Sequence, residues 1–329
     1  VLQAGAGQAP ARQVALGAGL PFGTPCTTIN KVCGSSLKAA MIAATEIRAG
    51  VANLVVAGGM ESMSNAPRFV RSAECGEDVP YAELISILSN DGLKDAYSGE
   101  MMGNTGETVA NEFDIKRGAS DAYAVRSHRL ASAAWDQGWL AKEAFAVGDL
   151  ERDEGIRPEA DPETLAGLAP VFHEDGQVTA GNSSQVSDGA SAVLIASMET
   201  AEEHDLPVLA RISDFTTAGV EPGRVMNAPI PAVETLLQRS GLSIDDIDVL
   251  EHNEAFASAS CAIQSYFGVR DDRFNVHGGA IALGHPLGAT GTRCLMTLVN
   301  ALDRIGGRHG ILTVCLGGGN AVAMLVERA

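Results

Sequence analysis

Aromatic side chains are scarce in this chain: of 329 residues, 2 are Trp, 4 Tyr and 9 Phe, 5% in all. With 46% hydrophobic residues and 37 glycines, the core must be built from small aliphatic side chains, which suits an α/β protein better than a sandwich or a disordered chain. Basic residues are also few, 23 against 41 acidic, leaving a formal charge of −18. That field disfavours nucleic acid and anionic membrane surfaces. An anionic cofactor would have to be met by local arginines and helix ends. No run of about 18 apolar residues occurs, so no transmembrane helix is expected. The first residues carry no signal-peptide pattern. Six cysteines, at 26, 33, 75, 261, 294 and 315, show neither CxxC nor metal-ligand spacing, so no metal site is expected. A chain long enough to bury a sizeable core needs no disulfide staples. A reducing, cytoplasmic setting follows, with an organellar matrix as the open alternative.

What is present is organised as two similar ends. Asn53-Leu54-Val55-Val56-Ala57-Gly58-Gly59 and Gly310 to Gly318 are both apolar strands running into glycines, and Ile29 to Gly34 and Phe274 to Gly278 both lead into helices. Val1 to Gly5, with a helix over Ala11 to Gly19, repeats the layout of Val249 to Asn253 with its helix from Ala257 to Gly268. Strands alternating with helices in both copies imply a parallel or mixed sheet covered by helices, with a site between the copies. The second copy opens with a strand at Val208–Ile212 and a helix from Pro231 to Ser240. About 40 residues from 207 to 248, one strand–helix–strand unit, have no counterpart before Val1, and an N-terminal truncation is expected. The expected division is a truncated N-terminal half at 1–60, an inserted domain at 61–185, a return to the first half at 186–205 and a C-terminal half at 206–329. In the insert, Ser120 to Gln137 reads as a helix capped by Ser120 or Asp121 and stopped at Gly138, and Gly148 to Gly167 as surface loop. The insert reads equally as a lid or cofactor clamp and as a solvated helical excursion without a ligand.

Cys33 stands just ahead of a helical run, after Asn30-Lys31-Val32 and before Gly34-Ser35-Ser36. Unpaired N–H groups at a helix start favour a thiolate, the form that attacks carbonyl carbon. Alone, such a cysteine is more often buried filler. Two further segments change the weighing: Gly284-His285-Pro286, within the glycine-dense run from 275 to 291, and Cys315 at the end of a strand, followed by Leu316-Gly317-Gly318-Gly319. A histidine held in a stiff turn and two cysteines beside glycine loops are the parts of nucleophilic catalysis.

Together with Gly58-Gly59-Met60-Glu61-Ser62-Met63-Ser64 and Asn253-Glu254-Ala255-Phe256-Ala257, these segments resemble the thiolases, the acetyl-CoA C-acyltransferases, across the whole chain. The resemblance implies an α/β thiolase fold of two duplicated α-β-α-β-α halves with an inserted loop domain, assembled as a homodimer or homotetramer. It implies CoA-dependent thiolytic cleavage of 3-ketoacyl-CoA to acetyl-CoA and a shortened acyl-CoA through a Cys33 acyl-enzyme, reversible as a Claisen condensation. By resemblance, Cys33 is the nucleophile, His285 its base and Cys315 the proton shuttle at the α-carbon. One oxyanion hole combines His285 with a water on Asn253, and the other uses the N–H groups of Cys33 and Gly317. Coenzyme A enters as co-substrate, with no permanent cofactor. Arg157 matches the arginine along its nucleotide, Thr164, Phe172, Ala180 and Ser184 line the pantetheine channel, and Met102, Met226 and Phe256 complete the binding set. Met101 and Gln185 stand where acetoacetyl-CoA-specific members commonly carry His and Gly, which leans toward degradation and fatty acid β-oxidation. His277 and Ala321 replace a frequent Asn and Gly. The alternatives are a biosynthetic acetoacetyl-CoA thiolase and a silent acyl-CoA-binding subunit; a decarboxylating ketoacyl synthase would lack the second cysteine.

Overall fold

The computed structural model describes residues 1–71 and 79–329, so Cys75 falls outside the described residues. The chain opens in turn and coil where a strand end is expected at Val1 to Gly5, and the Leu2 N–H is taken by Glu61 Oε1 at 2.9 Å rather than by a neighbouring strand. Helix α1 (Pro10–Gly17) begins on a proline, whose fixed φ suits a first turn. Helix α2 (Ser35–Arg48) buries Leu37, Ala40, Met41 and Ala44, the spacing of one helical face. Strand β1 (Leu54–Ser62) follows.

The insert adds a short antiparallel pair, β2 (Arg68–Phe69) with β3 (Ile85–Ser86), then helices α3 (Gly103–Glu112), α4 (Arg117–Asp136) and α5 (Pro162–Ala166). Helix α4 starts before the expected caps. Ser120 and Asp121 lie inside it, and Asp121 binds Arg117 at 2.7 Å and Asn182 at 2.9 Å instead of a helix end. The stretch expected as loop from Gly148 contains α5, because Asp161 caps it by accepting the N–H groups of Glu163 and Thr164, both at 2.9 Å. Strand β4 (Asp188–Ala196) returns antiparallel to β1, from Leu54 opposite Ala196 to Ser62 opposite Asp188, and α6 (Met198–Glu203) follows.

The C-terminal half runs β5 (Ala210–Gly219), α7 (Pro229–Ser240), β6 (Val249–His252), α8 (Ala257–Phe267), α9 (Ala280–Leu283), α10 (Thr290–Ile305), β7 (His309–Leu316) and β8 (Asn320–Arg328). Its sheet has the order β5-β8-β7-β6, with β6 parallel to β7 and the other pairs antiparallel. Strands β7 and β8 are apolar at almost every position because both faces are covered. Leu312, Val314, Val322 and Met324 pack with residues of α2 and α10, while Ile311, Ala323 and Leu325 pack with residues of α7 and α8. On the far side of α2 and α10 lie β1 and β4, which turn Val55, Ala57, Val193 and Ile195 into the same core. Their other face leaves Leu54, Val56, Met60 and Leu194 exposed.

The central layer is joined through glycines. A Cβ on Gly291 of α10 would overlap the Leu37 backbone of α2, and one on Gly59 of β1 would overlap the Gly288 carbonyl. Gly291→Ala is therefore expected to cost about 1–3 kcal/mol by overpacking. Urea unfolding would show this as a lower midpoint at unchanged slope; an unmoved midpoint would mean that the two helices separate freely.

Candidate active site

Each candidate catalytic side chain stands where an element ends. Val32 takes a left-handed φ of +48°, costly for a β-branched residue, in the tight turn that delivers Cys33 to the start of α2. Gly34 is wedged against the Leu316 and Val322 side chains, which brings this turn onto the end of β7. Burial and the neighbouring Cys315 push the Cys33 thiol up to about 12, against the opposing pull of the Cys33 and Gly317 backbone N–H groups. The resting thiolate expected from the helix start is thus not what the site holds: desolvation outweighs the backbone dipoles. Cys33 needs a base at the moment of attack.

His285 is the candidate for that task. Gly284 turns with φ +91°, and a Cβ on it would overlap the Ser187 hydroxyl, so only glycine fits before the histidine. His285 Nδ1 lies 2.7 Å from Thr290 Oγ1, and Thr290 Oγ1 in turn donates to the Pro286 carbonyl at 3.0 Å. With the Thr290 hydroxyl proton on that carbonyl, Thr290 accepts from Nδ1–H, which is the tautomer we assign. The lone pair is left on Nε2, which is buried and has no protein partner. Burial first and Arg293 second lower the imidazole to about 4, so it is neutral at pH 7. The loop carrying it is docked beside Cys33, since Ser36 Oγ accepts the Thr292 N–H at 2.9 Å and Glu61 Oε2 accepts that of Gly288 at 2.9 Å.

Cys315 is buried at the end of β7. Asn253 Oδ1 accepts its N–H at 3.1 Å and its thiol at 3.3 Å, and Met226 Sδ lies 3.6 Å from its sulfur. Burial raises this thiol to about 11, with the Asn253 bond opposing. Asn253 thus grips the second cysteine directly. Gly317, just beyond, supplies the N–H that faces Cys33.

The expected cofactor residues divide. Met102, Met226, Phe172 and Phe256 gather with Cys315 in one apolar cluster, where Phe172 meets Phe256 edge to face at 6.3 Å between centroids. Ser184 joins them through its N–H to the Ala255 carbonyl at 3.0 Å. Arg157, Thr164 and Ala180 are exposed on the insert's loops and on α5. The Arg157 backbone N–H goes to His128 Nδ1 at 3.2 Å, leaving its guanidinium outward, and the Thr164 hydroxyl serves Asp161 at 2.6 Å. Departing from the frequent Asn, His277 stacks on Trp139 at 5.3 Å and accepts from Arg304 Nε at 2.9 Å, which ties the segment just after α4 to the C-terminal half. Reasoning from sequence missed Thr290, Ser36 and Glu61. The one available signal was the hydroxyl placed one turn beyond Pro286.

Residues 1–199 match the family described as "Thiolase, N-terminal domain" and residues 206–328 the one described as "Thiolase, C-terminal domain". A Chromobacterium violaceum protein named acetyl-CoA acetyltransferase is 43% identical over 337 aligned residues, covering 100% of this chain and 86% of the relative. A Mus musculus protein named cytosolic acetyl-CoA acetyltransferase is 43% identical over 340, covering 100% and 85%. The crystal structure of the Acat5 thiolase from Ascaris suum in complex with coenzyme A superposes with a TM-score of 0.93 at 40% identity, over 100% of this chain and 86% of that one.

Proposed function

The chain belongs to the thiolase family, and on that premise we propose that it cleaves 3-ketoacyl-CoA with CoA, passing the shortened acyl group through a thioester on Cys33. It is an acyltransferase with the thiolase fold, and CoA is its co-substrate. What supports the assignment of steps is the Cys33 thiol with Cys315 and the Gly317 N–H acting on it, together with a neutral imidazole on a loop docked to Ser36 and Glu61. His285 Nε2 takes the Cys33 proton as Sγ attacks the keto carbon, and the N–H groups of Cys33 and Gly317 are placed to hold an oxyanion formed at Cys33. The α–β carbon bond breaks, and Cys315 protonates the departing acetyl-CoA carbanion. The Cys315 thiolate left by that step takes the proton of the CoA thiol, the CoA sulfur displaces the acyl group from Cys33, and the Cys33 thiolate recovers its proton from His285. Sulfur suits this role because the acyl-enzyme and both CoA thioesters lie near one energy. Arg157, Thr164, Ala180 and Ser184 would follow the CoA chain, and Met102, Met226, Phe172 and Phe256 its reactive end.

Incubation with acetyl-CoA followed by intact-protein mass spectrometry tests the reading; folded protein that takes up no acetyl group on Cys33 would contradict it. A second reading, condensation of two acetyl-CoA, is favoured by the relatives' names, whereas Met101 and Gln185 favour degradation in fatty acid β-oxidation. Turnover on acetoacetyl-CoA against a longer 3-ketoacyl-CoA separates them. The reading includes a homodimer or homotetramer and a cytoplasmic setting, the latter supported by the mouse relative's name. No helix among the described residues is long and apolar enough to cross a membrane.

The low pKa of His285 fixes one pH dependence. A base works when unprotonated, so its contribution is present above about 4 and is lost as pH falls through that value. The rate of Cys33 acylation should show no inflection near 6.5, the usual histidine value, as pH is lowered from 7.5 to about 5. An inflection there, with the protein still folded by circular dichroism, would show a solvated imidazole.

A further inference from the structure

None of the steps above uses the Glu254 carboxylate, yet four donors converge on it. Tyr123 Oη and Asn275 Nδ2 donate to Oε1, each at 2.9 Å, while Ser127 Oγ and the Ile281 N–H donate to Oε2 at 2.7 and 3.2 Å. Glu254 and Asn275 are both fully buried, and both hold left-handed backbone, φ +48° and +43°. Such conformations persist in residues other than glycine when the surroundings over-determine them. Here the restraint comes from both sides: Tyr123 and Ser127 lie on α4 of the insert, while in the C-terminal half Asn275 and Ile281 donate and a Cβ on Gly279 would overlap the Glu254 carboxyl. Asn275 closes the frame by accepting the His252 N–H at 2.7 Å and donating to the His252 carbonyl at 3.0 Å.

Between His252 and Glu254 stands Asn253, whose amide oxygen holds the Cys315 N–H and thiol. We propose that Glu254 is a positioning residue: by fixing the left-handed turn at 254 against α4, it holds Asn253 on Cys315 and so serves the carbon–carbon step. This rests on the thiolase reading for the step it serves. Cys33 and Gly317 belong to other elements, and His285 has its own support from Thr290. Glu254 also touches α9 through Ile281, four residues before His285, but the imidazole is oriented by Thr290, so acyl transfer onto Cys33 should lean on Glu254 far less than the carbon–carbon step does.

Glu254→Gln tests this at constant shape. The Ile281 N–H and the Asn275 Nδ2 group can only donate, so a carboxamide must face one of them with its own NH2 whichever way it is turned. The turn at 254 should shift, and small misplacements of catalytic groups cost on the order of 10²-fold. The expected result is a loss of about 10²-fold in carbon–carbon cleavage, with acetylation of Cys33 by acetyl-CoA and KM for CoA each within about threefold of the parent. A second readout needs no turnover: hydrogen exchange at the Cys315 amide should speed up by at least about tenfold as its bond to Asn253 loosens. If Glu254→Gln fails to fold, Tyr123→Phe combined with Ser127→Ala removes two donors from the α4 side, and the same selective pattern is expected at smaller amplitude. Equal losses in acetylation and cleavage, or an unchanged Cys315 exchange rate, would overturn the positioning role. A parent protein that never acetylates Cys33 would instead overturn the function reading, while the exchange rate still judges Glu254.

Discussion

Cys33→Ala abolishes thiolysis and condensation alike, by at least about 10⁴-fold, and leaves no acetyl adduct on the intact protein. The expectation follows from the acyl chain's need for a covalent resting place between two CoA thioesters. No other described cysteine can take over. Cys315 sits beside it, but its thiol is held to Asn253 and packed against Met226, away from the Gly317 N–H that faces Cys33. Cys261 and Cys294 lie within α8 and α10, and Cys26 stands in the coil before the turn, its thiol donating to the Thr24 carbonyl at 3.5 Å. Folding should survive, because replacing a half-buried thiol by a methyl group opens little space. A folded Cys33→Ala protein that still turned over a 3-ketoacyl-CoA would remove the acyl-enzyme from the mechanism.

Cys315→Ala separates the two halves of the reaction. His285 and the N–H groups around Cys33 remain, so acetyl-CoA should still acetylate Cys33 at close to the parental rate. Breaking or making the carbon–carbon bond needs an acid and base at the α-carbon, and losing it should cost about 10³–10⁴-fold. Rapid-quench mass spectrometry reads the first step and consumption of 3-ketoacyl-CoA the second. If both fell together, Cys315 would be shaping the Cys33 pocket rather than moving a proton.

Much of the candidate site was legible because glycine and proline mark where backbone turns sharply, and Cys33, His285 and Cys315 all lie beside such turns. The strands β7 and β8 were legible for a related reason: runs apolar on both faces belong in a covered sheet. What sequence could not convey is how tertiary neighbours claim polar groups. Asp121 has the chemistry of a cap, but Arg117 and Asn182 take it into the middle of a helix. The character of Cys33 was misjudged because a helix start can be seen in a sequence whereas desolvation cannot. Glu254 is unremarkable until the helix that binds it, well over a hundred residues earlier, is folded against it.

The contacts of Gly291 with Leu37 and of Gly59 with Gly288 leave no side-chain layer between the elements that carry the nucleophile and its base. At these two points α2 lies directly against α10, and β1 directly against the turn that follows His285. Enlarging Gly291 or Gly59 should therefore displace both elements together rather than either alone.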